Sequence, residues 1–162
     1  MADTPGHEEY TRNMAVGASF ADLAIILIDA KHGVLVQTRR HARICALMGI
    51  KHFVFAINKM DLVGYSKERY DEILKDIKEL SKTLGLQDVV AIPISATEGD
   101  NVTKKSENMS WYTGKAILDH LETVDVTEEE GANFYLPVQR VCRPNHEFRG
   151  FQGQIESGRV SL

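Results

Sequence analysis

The sequence predicts an α/β protein built on a parallel sheet. Three short apolar runs, at residues 23–28, 52–57 and 89–94, have the length and β-branched composition of buried strands. Stretches with helical spacing of apolar side chains alternate with them, and this alternation favours parallel strands joined by right-handed crossovers. From residue 134 onward the pattern changes to short strands and glycine-rich turns, which indicates the start of a β domain.

The first elements follow from local signals. We expect a helix over residues 8–16 and then a strand over residues 23–28 that is covered on both faces, because the run is apolar at every position. A second helix is predicted over residues 38–48, where Gly49 is a natural stop. The strand at residues 52–57 has the same uninterrupted apolar character as the first.

The later elements have clearer boundaries. The helix predicted over residues 66–84 carries its apolar side chains on one face, with Ser66 as a cap and Gly85 as a stop. Pro93 cannot donate a ladder hydrogen bond, so the third strand is expected to lie at an edge or to end there. A last helix is predicted over residues 115–121.

These elements predict three regions: a first domain over residues 1–126, an acidic linker over residues 127–133, and the beginning of a second domain over residues 134–162. The chain has 162 residues, of which 43% are hydrophobic and 26% charged, which is ordinary for a globular protein of about one domain.

Charge and composition argue against several function classes. The formal net charge of −4 gives no electrostatic footprint for nucleic acid, and no apolar run is long enough to span a membrane. Cys45 and Cys142 lack metal-ligand spacing, so we expect reduced thiols in a cytoplasmic protein.

Residues 58–61, Asn-Lys-Met-Asp, directly follow the second apolar run and suit guanine recognition. Guanine presents N1–H and an amino group as two parallel donors, and Asp61 can accept both, whereas adenine would leave the carboxylate unpaired. We expect the stem of Lys59 to lie along the base and Asn58 to bond the ligand and the neighbouring backbone. A solvated turn is the alternative for this segment.

Ser95 and Ala96 follow the third apolar run and can offer backbone N–H groups to guanine O6. The carboxyl ends of parallel strands are where ligands bind in open α/β sheets. Both segments are therefore expected at one edge of the sheet.

Residues 3–7, Asp-Thr-Pro-Gly-His, have the pattern of a γ-phosphate sensor. Asp3 can hold a Mg²⁺-bound water, since Mg²⁺ keeps several of its waters. Gly6 has no Cβ, so its N–H can approach a phosphate oxygen closely. His7 can orient the attacking water in phosphoryl transfer. An ordinary turn is the alternative for this motif taken alone.

The order of these motifs resembles the translation-factor class of GTPases, to which elongation factor Tu belongs. Several longer segments resemble more closely the GTPase, or large, subunit of sulfate adenylyltransferase (ATP sulfurylase). They lie at residues 3–14, 33–41, 49–63, 98–102, 110–122 and 143–160. The sequence RPNHEFRG near the end favours the sulfate enzyme over the elongation factors.

This resemblance implies a P-loop-GTPase-type parallel sheet with flanking helices, followed by β-barrels. It implies an enzyme that couples GTP hydrolysis to the reaction of ATP with sulfate, which yields adenylyl sulfate and pyrophosphate. GTP and Mg²⁺ are the implied ligands, and a small catalytic adenylyltransferase subunit is the implied partner in a heterodimer. The implied GTP-binding residues are Asp3, Gly6, Asn58, Lys59, Asp61, Ser95 and Ala96, with His7 catalytic and Asp3 serving Mg²⁺ through water.

In this family the first strand and the phosphate-binding loop would precede Met1. We therefore expect a fragment that binds no cofactor tightly and hydrolyses no GTP by itself, with its second domain cut at Leu162. Two other functions stay open: a translation elongation factor that delivers aminoacyl-tRNA, and a guanine-binding module without catalysis.

Overall fold

A computed structural model describes residues 3–4, 11–126 and 133–160. The chain divides into two compact units, Met1–Val126 and Thr127–Leu162. The start of the helix expected over residues 8–16, and all of the expected linker except residue 133, lie outside the described residues.

The first unit contains a parallel sheet, as the alternating pattern predicts. Its strands are β1 (Leu23–Asp29), β2 (His52–Asn58) and β3 (Asp88–Pro93), in the order β1–β2–β3. The register pairs Asp29 with Asn58, and Ile57 with Pro93. Because the strands are parallel, their carboxyl ends meet at one edge of the sheet.

Helices connect the strands and flank the sheet. They are α1 (Thr11–Ala18), α2 (Val36–Leu47), α3 (Lys67–Leu84) and α4 (Ile117–Thr123), and a short 3₁₀ turn covers Met60–Val63. The bounds of α2 and α4 differ from the predicted ones by one or two residues at each end, as is usual for helix ends.

Helix α3 has the boundaries that its sequence predicts. The Ser66 hydroxyl accepts a hydrogen bond from the Arg69 N–H at 3.1 Å, and Gly85 ends the helix with φ +66°. This left-handed conformation favours glycine because it has no Cβ. The helix buries one face in the core, through Tyr70, Ile73, Ile77 and Leu80.

Strand β2 is the central strand and is buried at five consecutive positions. Strand β3 lies at an edge and ends at Pro93, which confirms both alternatives drawn from the proline. The missing N–H of Pro93 therefore interrupts no ladder between two strands.

The prediction that both faces of β1 are covered is wrong. Ile25 and Leu27 are 37% and 64% exposed, while their neighbours on the other face are buried. In register they lie beside Val54 and Ala56, which are fully buried on the same face of the sheet. The buried cluster on this face is formed by Val54, Ala56, Ile92 and Ile94, which lie on β2 and β3 or directly after β3. Two apolar side chains of the edge strand β1 therefore stay exposed.

The second unit contains short strands, as the sequence predicts. Strand β4 (Arg140–Cys142) pairs antiparallel with β5 (Gly150–Gln152), and Tyr135 forms an isolated bridge with Ser157. A second, small antiparallel sheet therefore begins after the parallel one.

Within the described ranges, no helix has the length and apolar character needed to cross a membrane.

Candidate functional site

The turn after β2 places the Asn-Lys-Met-Asp segment at the carboxyl edge of the sheet. Lys59 adopts φ +64°, a left-handed conformation that is uncommon for a residue with a side chain. The neighbouring Met60 side chain is fully buried, and the Met60 N–H donates to the Ile94 carbonyl at 3.1 Å. These contacts hold the strained turn in place and leave Asp61 half-buried.

Asp61 is held by a side chain from the next strand end. The hydroxyl of Ser95, which has no exposed surface, donates to Asp61 Oδ1 at 2.7 Å. A hydrogen bond to a charged carboxylate is among the stronger ones in proteins. A carboxylate offers about four lone-pair positions, so an oriented Asp61 still has room for two parallel N–H donors.

Asn58 ties the two strand ends together. Its Oδ1 accepts hydrogen bonds from the Lys59 N–H at 2.7 Å and from the Ala96 N–H at 3.0 Å. The Ser95 N–H donates to the Asp100 carbonyl at 3.1 Å. Both N–H groups expected to face guanine O6 thus have protein partners in this structure, and the contribution of Ser95 to the site is its hydroxyl.

Lys59 pairs with an acidic residue that the sequence did not single out. Its Nζ lies 2.7 Å from Asp29 Oδ2, and the Lys31 N–H donates to Asp29 Oδ1 at 2.8 Å. These interactions, led by the hydrogen bond from Lys59, lower the pKa of Asp29 to about 2, so its carboxylate is charged at neutral pH. The signal available in the sequence was the position of Asp29 directly after the first apolar run; its register with Asn58 appears only in the structure.

Arg69 of α3 fastens the loop that carries Asp29. Its Nε donates to the Ala30 carbonyl at 2.8 Å, and its Nη2 donates to the Lys31 carbonyl at 3.3 Å. Gly33, at φ +73°, closes the turn by donating its N–H to the Asp29 carbonyl at 2.8 Å. Helix α3 thereby fixes the loop in the position where Asp29 meets Lys59.

The predicted phosphate residues are only partly described. Asp3 is exposed and lies in no helix or strand, whereas Gly6 and His7 lie outside the described residues. No group of three or more acidic, histidine or cysteine side chains suited to a metal occurs among residues 3–4, 11–126 and 133–160.

The structure brings together the five predicted guanine-binding residues: Asn58, Lys59, Asp61, Ser95 and Ala96.

Residues 1–129 match the family described as the elongation factor Tu GTP binding domain. The chain belongs to this family. The match covers most of the chain and includes both motifs, together with all three strands of the parallel sheet. The family match therefore spans the whole of the first unit.

The relatives distinguish between the two enzyme classes considered above. The chain is 58% identical over 164 residues to sulfate adenylyltransferase subunit 1 of Vibrio campbellii, covering 100% of this chain and 34% of the relative. It is 56% identical over 163 residues to the same subunit of Saccharophagus degradans, covering 100% of this chain and 35% of the relative. The chain thus spans about a third of the length of these relatives. Their names favour the sulfate enzyme over an elongation factor.

Solved structures agree with the fold. The crystal structure of sup35 in complex with GDP matches with a TM-score of 0.63 and 32% identity, covering 89% of this chain and 39% of that one. The parallel α/β sheet predicted from the alternating pattern and the GTPase-type fold that the resemblance implies are therefore confirmed.

Proposed function

We propose that this chain forms the guanine-recognising part of the GTPase subunit of a sulfate adenylyltransferase. In this proposal GTP hydrolysis is coupled to the reaction of ATP with sulfate, which yields adenylyl sulfate and pyrophosphate. The observation that carries the nucleotide assignment is the hydrogen bond from the buried Ser95 hydroxyl to Asp61 at the carboxyl edge of the sheet. Similarity to two named subunits supports the sulfate reaction.

The proposed recognition rests on the donor pattern of the base. Asp61 accepts N1–H and the 2-amino group of guanine, and adenine offers no such pair. Sites that leave a buried polar group unpaired with the wrong ligand discriminate by roughly 10⁴–10⁵-fold. Lys59 covers the base with its stem. The Ala96 N–H donates to Asn58 Oδ1 at 3.0 Å, and in this proposal it turns from Asn58 to O6 when guanine binds.

The phosphate roles belong to the same proposal. Asp3 supplies a carboxylate, the ligand type that Mg²⁺ prefers, and would hold the ion through a water. Such an ion would supply positive charge to offset that of the phosphates. Gly6 brings its N–H to the γ-phosphate, and His7 orients the attacking water.

The remaining assignments follow the family. We place a GTP-binding domain at residues 1–126, a linker at residues 127–133, and the start of a second domain at residues 134–162. The match over residues 1–129 supports the first of these regions, and the division into two units after Val126 supports its end. The proposed partner is a small catalytic adenylyltransferase subunit in a heterodimer, with no role for nucleic acid or membrane. A cytoplasmic location is part of the proposal, and two free cysteines suit it.

Calorimetry with GDP and ADP tests the nucleotide assignment on the intact protein, by which we mean the complete GTPase subunit that carries these residues; the isolated chain is expected to bind no nucleotide tightly. We expect GDP to bind and ADP to give no detectable heat under the same conditions. The sulfate assignment is tested by mixing the intact protein with a small adenylyltransferase subunit and measuring adenylyl sulfate. Formation that depends on GTP hydrolysis is expected, whereas equal yields with GTP and without it contradict the proposed coupling. Binding of aminoacyl-tRNA would favour the elongation-factor alternative instead.

A further inference from the structure

The segment that follows Ser95 folds back on Ser95 itself. The Ser95 N–H donates to the Asp100 carbonyl at 3.1 Å, and the Gly99 N–H donates to the Ser95 carbonyl at 2.8 Å. Both backbone polar groups of Ser95 are therefore fixed by residues 99–100. The direction of the Ser95 hydroxyl, and hence of its bond to Asp61, depends on where this loop is anchored.

Asn101 anchors the loop to the end of β3. Its Nδ2 donates to the Pro93 carbonyl at 2.9 Å, and its Oδ1 accepts from the Ser106 N–H at 2.8 Å. Its own carbonyl accepts from the Ile117 N–H at 2.9 Å, at the beginning of α4. Asn101 is 1% exposed, so an unmade hydrogen bond at this position would leave a buried polar group unsatisfied.

The backbone of Asn101 is also unusual. It adopts φ +55°, in the left-handed region that asparagine tolerates better than most residues. A residue other than glycine keeps this backbone conformation where the surrounding contacts offset its strain. Here the left-handed turn lets one residue bond strand β3, the loop at Ser106 and helix α4.

The neighbouring Asp100 strengthens the same loop. Its Oδ1 accepts from the Ser106 hydroxyl at 2.6 Å, and its Oδ2 accepts from Asn108 Nδ2 at 3.3 Å. These hydrogen bonds, with that from Ser106 foremost, hold the pKa of Asp100 below its ordinary value. The loop that positions Ser95 is therefore closed by a charged carboxylate on one side and by a buried amide on the other.

We propose that Asn101 is a positioning residue for base selectivity: it holds the loop that aims the Ser95 hydroxyl at Asp61. This inference rests on the proposed function. Only a correctly oriented carboxylate accepts N1–H and the 2-amino group together. A misaligned Asp61 loses one of these two bonds, and the nucleotide then gains little from its 2-amino group.

The test compares GDP with inosine diphosphate, which lacks the 2-amino group. Calorimetry on the intact protein gives the Kd of each nucleotide. The Kd for inosine diphosphate divided by the Kd for GDP is the ratio that measures the preference for GDP. We expect the wild-type protein to prefer GDP by about tenfold or more, the usual worth of a hydrogen bond to a charged group. In Asn101→Ala this preference is expected to fall by about fivefold or more.

A purely structural role would lower the folded fraction and weaken both nucleotides equally, leaving the ratio unchanged. The matched control is Ile77→Val, which removes a methyl group from the buried face of α3. It is expected to lower stability and to keep the wild-type ratio. If Asn101→Ala does not fold, Asn101→Gly serves instead, since it removes both side-chain hydrogen bonds of Asn101 and suits the backbone φ of +55°. A reduction of at least about twofold in the ratio is then expected.

The outcomes separate this inference from the proposed function. If the wild-type protein binds GDP with the expected preference and the folded variants keep the wild-type ratio, the role of Asn101 is refuted and the guanine site stands. If the wild-type protein binds neither nucleotide, the proposed function fails and the inference fails with it.

Discussion

Replacing Ser95 with alanine removes one hydroxyl from the candidate site and tests how Asp61 is held. The Ser95 hydroxyl donates to Asp61 Oδ1 at 2.7 Å and accepts the Glu98 N–H at the longer distance of 3.4 Å. Ser95 has no exposed surface, whereas Glu98 is exposed and can bond water instead. The principal loss in Ser95→Ala is therefore the hydrogen bond to the carboxylate.

The size of the effect follows from the charge on the acceptor. A hydrogen bond to a charged group contributes about 1.5–3 kcal/mol, and each 1.4 kcal/mol corresponds to about tenfold in affinity. If Asp61 needs this bond to face guanine, GDP affinity should fall by roughly tenfold to a hundredfold. The free energy of unfolding should change by only about 1 kcal/mol, since the half-buried Asp61 can recruit water.

The assay is GDP calorimetry on the intact Ser95→Ala protein, with urea unfolding measured in parallel. Ser66→Ala is a matched control, because it deletes a hydroxyl that caps α3 instead of one that contacts Asp61. The control should lose about 1 kcal/mol of stability and keep its GDP affinity. A Ser95→Ala protein that is folded and binds GDP within twofold of the wild-type protein would refute the proposed role of this bond.

Three further predictions concern stability, each followed by urea unfolding. The pKa of Asp29 is about 2, below its ordinary value, so its pairing with Lys59 stabilises the fold above about pH 4 and this contribution is lost as the pH falls toward 2. Asp29→Asn should therefore be less stable than the wild-type protein at pH 7 and approach it near pH 2; a constant difference would contradict this. Ile57→Ala, at a fully buried position of β2, should lower the free energy of unfolding by about 2–5 kcal/mol. Leu27→Ala, on the exposed face of β1, should lower it by less than about 1 kcal/mol, and equal losses would show that Leu27 is also buried in the core. Gly85→Ala should cost about 1 kcal/mol because the C-cap of α3 has φ +66°, and an unchanged midpoint would argue against that conformation.

Features decided by neighbouring residues in the sequence could be predicted. The bounds of α3 follow from a serine cap, a glycine stop and one apolar face, and the edge position of β3 follows from Pro93. The exposed face of β1 could not be predicted, because its apolar run resembles that of β2 and only the packing of distant segments decides which faces are covered.

The candidate site shows the same division. Asn58 and Asp61 follow directly from a short motif after an apolar strand, so their position was predictable. The bonds from Ser95 to Asp61 and from Lys59 to Asp29 join residues that are 34 and 30 positions apart. Such pairs depend on strand register, which the sequence pattern constrains but does not specify in atomic detail.

The most direct test of the guanine site is a comparison of GDP with xanthosine diphosphate on wild-type protein and on Asp61→Asn. Xanthine carries a carbonyl in place of the 2-amino group, so the amide introduced by the substitution can donate where the carboxylate accepted. We predict that the wild-type protein binds GDP and not xanthosine diphosphate, and that Asp61→Asn reverses this preference. A folded Asp61→Asn protein that keeps the wild-type preference for GDP would show that Asp61 does not read the base.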